Sequence, residues 1–93
     1  MNGESLRSIE ENRKKVDEID EAILDLLVKR FQATSAIGRV KKEEGIQVLD
    51  VSREDEVLER RAQLATDGGL KEEFAKRLFV LIMNESKDTQ REL

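Results

Sequence analysis

Two cations stand where a helix should be apolar. An apolar stripe at three-four spacing runs through the first half of the chain: Ile9, Val16, Ile19, Ile23, Leu26, Leu27 and Ile37. At about 100° per residue, Arg30 and Lys41 fall near the middle of that stripe. They are separated by three helical turns, so they point the same way with their Cα atoms about 16 Å apart along the axis. Burying a cation is costly unless an anion meets it, and no acidic residue lies three or four positions from Arg30. Either both side chains snorkel to water from a solvated edge, or something negative from outside the helix sits there. The second reading describes an anion-binding pocket inside a helical bundle.

The last part of the chain repeats the anomaly. Its stripe reads Ala75, Phe79, Ile82, Met83, Ser86, Gln90 and Leu93, so Ser86 and Gln90 continue an apolar line. Fraying near a helix end explains polar residues there equally well in isolation. If the first and last helices pack together, however, neutral hydrogen-bonding groups come to face the cations. Between them, Asp50, Arg53 and Glu54 cluster at a helix start. Such a cluster is either a solvated N-terminus or a pair of acceptors beside cations, able to receive hydroxyl protons from a ligand. Arg13 lies at the stripe edge, about 25 Å along the axis from Arg30. That is too far to share a small ligand within one chain, but not across an antiparallel pair of chains. Its plain alternative is a surface arginine in the basic run Arg13-Lys14-Lys15.

Composition narrows the chemistry. The 93 residues fit one domain, 1–93. There is no cysteine and no histidine, which removes disulfides, thiolate nucleophiles, the usual general base and the commonest metal ligand. No metal or cofactor is expected. A net charge of −4 argues against nucleic acid as the main partner. The first residues lack the apolar segment of a signal peptide, and no apolar run approaches the roughly 20 residues of a membrane span. A soluble cytoplasmic protein is the expectation. Pro, Trp and Tyr are absent as well, although Pro alone would appear roughly four times at average usage. Long helices exclude Pro but do not account for the rest, which points to a designed or restricted alphabet.

Three helices position these residues, and the fold class is all-α. Helix 1 runs from about Ser5 to about Glu44 and ends before Gly45, a C′ glycine. Gly38 interrupts it and marks a close approach of another backbone or of a ligand. Ser52 reads as the N-cap of helix 2, with Asp55 three residues on. That helix stops at Asp67-Gly68-Gly69. Helix 3 runs from about Leu70 to Glu92. Helix 1, at about 60 Å, exceeds a compact domain of this size, whose radius of gyration is near 13 Å. Helices 2 and 3 are too short to cover its stripe, so an antiparallel homodimer is expected. A plain coiled coil fits less well, because the 3.5-residue repeat lacks regular Leu or Ile at both seam positions.

Arg13 ahead of Ile19-Asp20, Leu26-Leu27-x-x-Arg30, then Lys41, then Asp50-x-x-Arg53-Glu54, and finally Ser86-x-x-x-Gln90 form an ordered set. In this set the chain resembles the all-helical chorismate mutases of shikimate metabolism and aromatic amino acid biosynthesis, the AroQ class, from about Leu6 to Leu93. The resemblance implies three helices per chain in an intertwined homodimer, with Arg13 reaching across to the other subunit's pocket. It implies the [3,3] rearrangement of chorismate to prephenate, without covalent intermediate or cofactor. By resemblance, Arg13 and Arg30 clamp carboxylates, and Lys41 contacts a carboxylate and the ether oxygen. Gln90 donates to that oxygen, Asp50 and Glu54 meet the ring hydroxyl, and Arg53 and Ser86 complete the polar wall. The chain departs from the family in having Gln47 and Val51 where proline is often found, which loosens the loop between them. It ends soon after Gln90, so no fused catalytic or regulatory domain is expected. Two rivals stay open at this point: an isochorismate pyruvate-lyase on the same fold, and a non-catalytic helical dimerisation module.

Overall fold

The computed structural model describes residues 2–93. Three α-helices follow one another, α1 (Gly3–Glu44), α2 (Val51–Asp67) and α3 (Glu72–Arg91), with no strand among the described residues. The all-helical, three-helix expectation holds. Contacts divide the chain into two compact units, Met1–Gln32 and Ala33–Leu93, whose boundary falls within α1.

In the first unit the described chain is the opening stretch of α1. Its N-cap is Asn2, whose Oδ1 accepts the Ser5 backbone N–H at 2.8 Å, so the helix starts slightly earlier than Ser5. The apolar stripe is largely open to solvent here. Val16, Ile19, Ile23 and Leu26 are all exposed, Leu26 at 64%. Toward the unit's end, Leu27, Arg30 and Phe31 are half-buried.

In the second unit, α1 ends on Gly45 as expected. The residue takes φ +69°, a conformation that favours glycine. The Ile46 N–H reaches the Lys41 carbonyl at 2.7 Å and the Gly45 N–H reaches the Lys42 carbonyl at 3.4 Å, the bond pair of a Schellman motif. A short loop leads to α2. Here the expectation fails in detail: the N-cap is Asp50, not Ser52. Asp50 is extended at φ −132°, ψ 93°, and its Oδ1 accepts the Arg53 N–H at 3.0 Å. Asp caps a helix about as well as Ser, and starting earlier lets α2 take in two more residues, Val51 and Ser52. Ser52 therefore lies inside the first turn, and the Ser52/Asp55 capping pair does not form. A second Schellman pair closes α2 at Gly69, φ +88°, with the Leu70 N–H on the Ala65 carbonyl at 2.8 Å.

The helices α2 and α3 pack against each other in antiparallel fashion. Lys87 near the end of α3 meets Glu54 near the start of α2, and Lys76 near the start of α3 meets Glu59 farther along α2. Midway, the Arg61 guanidinium lies over the Phe79 ring, 5.7 Å from its centroid. The hydrogen bond to Glu72 and the charge of Glu59 hold the Lys76 ammonium above its ordinary pKa. Between the helices lie Val57, Ala62, Ala65 and Ala75, all buried. The predicted α3 stripe is buried or half-buried at every position, from Ala75 to Leu93. Small residues dominate this seam and no large side chain is fully buried among the described residues, which lets the two backbones approach closely.

Candidate functional site

Lys41 lies in the last turn of α1 and is half-buried. Its Nζ donates to the Val48 carbonyl at 3.0 Å. That bond ties the loop after Gly45 back onto α1 and gives the ammonium a fixed origin. An ammonium has three N–H donors, so two remain for an anion.

Gln90 is held from the other side. Its Nε2 donates to the Thr34 carbonyl of α1 at 2.8 Å, a partly buried contact. The last turns of α1 and α3 therefore do meet, as the polar residues on the α3 stripe suggest. Gly38 makes the approach feasible: a Cβ there would lie 2.7 Å from Gln90 Cγ and 2.9 Å from Leu93 Cδ1. The expected close approach at Gly38 is thus made by the side chains of Gln90 in α3 and of Leu93 just beyond it.

Glu54, in the first turn of α2, is half-buried and pairs with Lys87 Nζ at 2.7 Å. With both side chains largely shielded, this pair is less screened than an exposed one, whose typical value is about 0–1 kcal/mol. It fixes one carboxylate oxygen of Glu54 and leaves the other as an acceptor. Ser86 is buried at 5% exposure, and its Oγ donates to the Ile82 carbonyl at 3.0 Å. This is the usual way for a helical serine to satisfy itself. Asp50 and Arg53 are brought together by the cap, through the Arg53 backbone N–H. The Arg53 guanidinium itself is exposed and only 4.0 Å from Glu56, an interaction of little weight. Arg13, exposed, and Arg30, half-buried, belong to the first unit.

Three participants escape the sequence reading. Lys87 stands at the edge of the α3 stripe, where a long charged residue looks like solvated surface. Only the antiparallel register of α2 and α3 reveals its partner. Thr34 contributes a backbone carbonyl, to which residue type is no guide. Val48 likewise acts through its carbonyl. An open furrow along α2, lined by Ser52, Arg53, Glu56, Arg60 and Leu64 among others, takes in Arg53 but neither Lys41 nor Gln90. Among the described residues no acidic cluster is arranged to hold a metal ion, and no helix is long and apolar enough to cross a membrane.

The arrangement in the second unit is a fixed cation, a fixed neutral amide donor and a braced carboxylate, without a group set up for nucleophilic attack. Such a constellation can bind a polar anion and stabilise charge. The family model for chorismate mutase type II matches residues 12–91. A chorismate mutase from Methanocaldococcus jannaschii is 28% identical over 87 residues, covering 94% of this chain and 88% of that protein. The bifunctional chorismate mutase/prephenate dehydratase of Escherichia coli K12 is 35% identical over 81 residues, which make up 87% of this chain and 21% of that protein. Among solved structures, a conserved hypothetical protein from Pyrococcus furiosus is similar with a TM-score of 0.72 and 36% identity, covering 89% of this chain and 95% of that one.

Proposed function

The chain belongs to the chorismate mutase type II family, enzymes that isomerise chorismate to prephenate, and from that premise we propose how its residues carry the reaction. The substrate is a dicarboxylate with an enol ether and a ring hydroxyl. In the rearrangement the ether C–O bond breaks while a C–C bond forms within the same molecule. No nucleophile attacks and no proton moves. Rate comes from holding a compact, chair-like conformer and from meeting the negative charge that builds on the ether oxygen.

Arg30 and the partner's Arg13 hold the carboxylates, to which planar guanidinium groups are well matched. Lys41 spends its two remaining donors on a carboxylate and on the ether oxygen. Gln90, with one N–H on Thr34, directs the other to the same oxygen. Asp50 and the outer oxygen of Glu54 accept from the ring hydroxyl, while Arg53 and Ser86 complete the polar wall. Residues 1–93 act as one mutase domain. The assembly is an intertwined antiparallel homodimer, supported by the exposed stripe of α1, where Ile19 is 58% and Leu26 64% exposed. Burying one such side chain is worth about 1.5–3 kcal/mol, so a second copy of the same stripe is a fitting cover.

The observation that carries this reading is the family match over residues 12–91, within which every proposed contact residue falls. The test is spectroscopic loss of chorismate with the purified protein, with prephenate as the sole product, and a parallel assay on isochorismate. Pyruvate release from isochorismate without turnover of chorismate would overturn the assignment. The same assay gives a pH prediction. The proposed step moves no proton, the chain holds no histidine or cysteine, and Gln90 donates through an amide, which does not titrate. Turnover should therefore be flat from mildly acidic to mildly basic pH, and a steep change near neutrality would contradict the role given to Gln90.

A further inference from the structure

Gln90 has a flexible terminal torsion, so its amide has no preferred orientation of its own. Something must decide which end faces the substrate. The structure supplies that decision in one turn of α1. The Thr34 carbonyl already accepts the Gly38 N–H in the helix pattern, and a second lone pair remains. A helical side chain covers the turn on the N-terminal side of its own Cα, so a side chain at residue 38 would lie over the Thr34 carbonyl. Gly38 has none. Gln90 occupies the vacated space, with Cγ 2.7 Å and Cβ 3.1 Å from where a Cβ would stand, and its Nε2 reaches Thr34 at 2.8 Å. The oxygen end of the amide would meet that carbonyl lone pair to lone pair, so the nitrogen end is the one held. Glycine is the poorest helix former after proline, and its presence at a buried position well inside α1 calls for such a reason.

We propose that Gly38 is a positioning residue for catalysis: by leaving the Thr34 carbonyl open, it orients the amide of Gln90 so that its second N–H stays available to the reacting oxygen. The proposal rests on the reading of Gln90 as the ether-oxygen donor, and the test separates the two. Gln90→Leu examines that reading alone and should lower kcat by about 10²–10³. Wild-type turnover in Gln90→Leu would refute the donor role and this proposal with it. Gly38→Ala examines the positioning. Its new methyl displaces Gln90 at Cγ and Cβ, which cannot yield without moving the amide, and kcat should fall by roughly 10–10² with KM nearly unchanged.

A merely structural role for Gly38 predicts something else. Alanine is the better helix former, which offsets part of the crowding against Gln90 and Leu93, so the helical circular dichroism of Gly38→Ala should be kept while turnover is lost. Placed in the Gln90→Leu background, Gly38→Ala should change kcat less than about twofold, because the group it misplaces is already gone. An equal loss in both backgrounds, or kcat within about twofold of wild type in Gly38→Ala itself, overturns the proposal. Gly38→Ala/Leu93→Ala removes the other close contact, the Leu93 methyl at 2.9 Å. Persistent loss of turnover in that double variant assigns the effect to Gln90, and recovery assigns it to Leu93 packing and refutes the positioning role.

Discussion

Lys41→Ala should lose nearly all turnover while its helical circular dichroism stays as in the wild type. The expected fall in kcat/KM is about 10³ or more, equivalent to about 4 kcal/mol of transition-state stabilisation. Two losses combine. In the role proposed for Lys41, the substrate carboxylate loses a cation in both ground and transition states, and the ether oxygen loses a donor just as charge builds on it. The first loss raises KM and the second lowers kcat, so both parameters should move, with kcat carrying the larger share. The fold has little stake in this ammonium. Its one structural bond is to the Val48 carbonyl at 3.0 Å, and Gly45 closes α1 through backbone bonds that do not involve it. The loop after α1 should loosen modestly, and the helices should not. Turnover within about tenfold of wild type would refute the role given to Lys41.

Much of this frame was legible in the chain, for identifiable reasons. Helical periodicity survives wherever one face is covered by a neighbour, and the α3 stripe from Ala75 to Leu93 is such a face, buried or half-buried at each position. Gly45 was readable as a helix end because a left-handed residue is needed there and glycine supplies it. The start of α2 misled because Asp50 and Ser52 are both competent caps two residues apart. The choice between them is made by where the Lys41-anchored loop delivers the chain, which local sequence does not encode. The candidate site divides in the same way. Lys41 and Gln90 stood out because polar groups on an apolar line demand explanation. The groups that brace the candidate site residues, Glu54 among them, did not. Lys87 looks like any surface lysine until the antiparallel pairing of α2 and α3 sets it 2.7 Å from Glu54. The carbonyls of Thr34 and Val48 carry no residue signature at all, since every residue has one.

Arg13 leads to the second large effect, which tests the assembly and the site together. Arg13→Ala should lower kcat/KM by an amount equivalent to about 2–5 kcal/mol, the usual range for removing one partner of a desolvated charge pair. A large loss alone would not say which chain the arginine serves. Mixing does. On the proposed assembly, Arg13→Ala and Lys41→Ala should each be nearly inactive as homodimers, the first for want of an arginine in every pocket and the second for want of a lysine. When the two variants are unfolded together and refolded in equal amounts, random pairing in the proposed homodimer should make about half of the dimers one of each. In a mixed dimer, the pocket that keeps its own Lys41 receives an intact Arg13 from the other chain, and the second pocket lacks both. One pocket in two is whole, so the mixture should regain about a quarter of wild-type activity. Sedimentation of the same samples should give the mass of a dimer, in keeping with the open apolar stripe on α1. If Arg13 served its own chain instead, no mixed pocket would be complete on the Arg13→Ala side, while the Lys41→Ala side would still lack its lysine, and activity would not rise above the sum of the two parents. That outcome would refute exchange of Arg13 between chains even if both single variants were inactive.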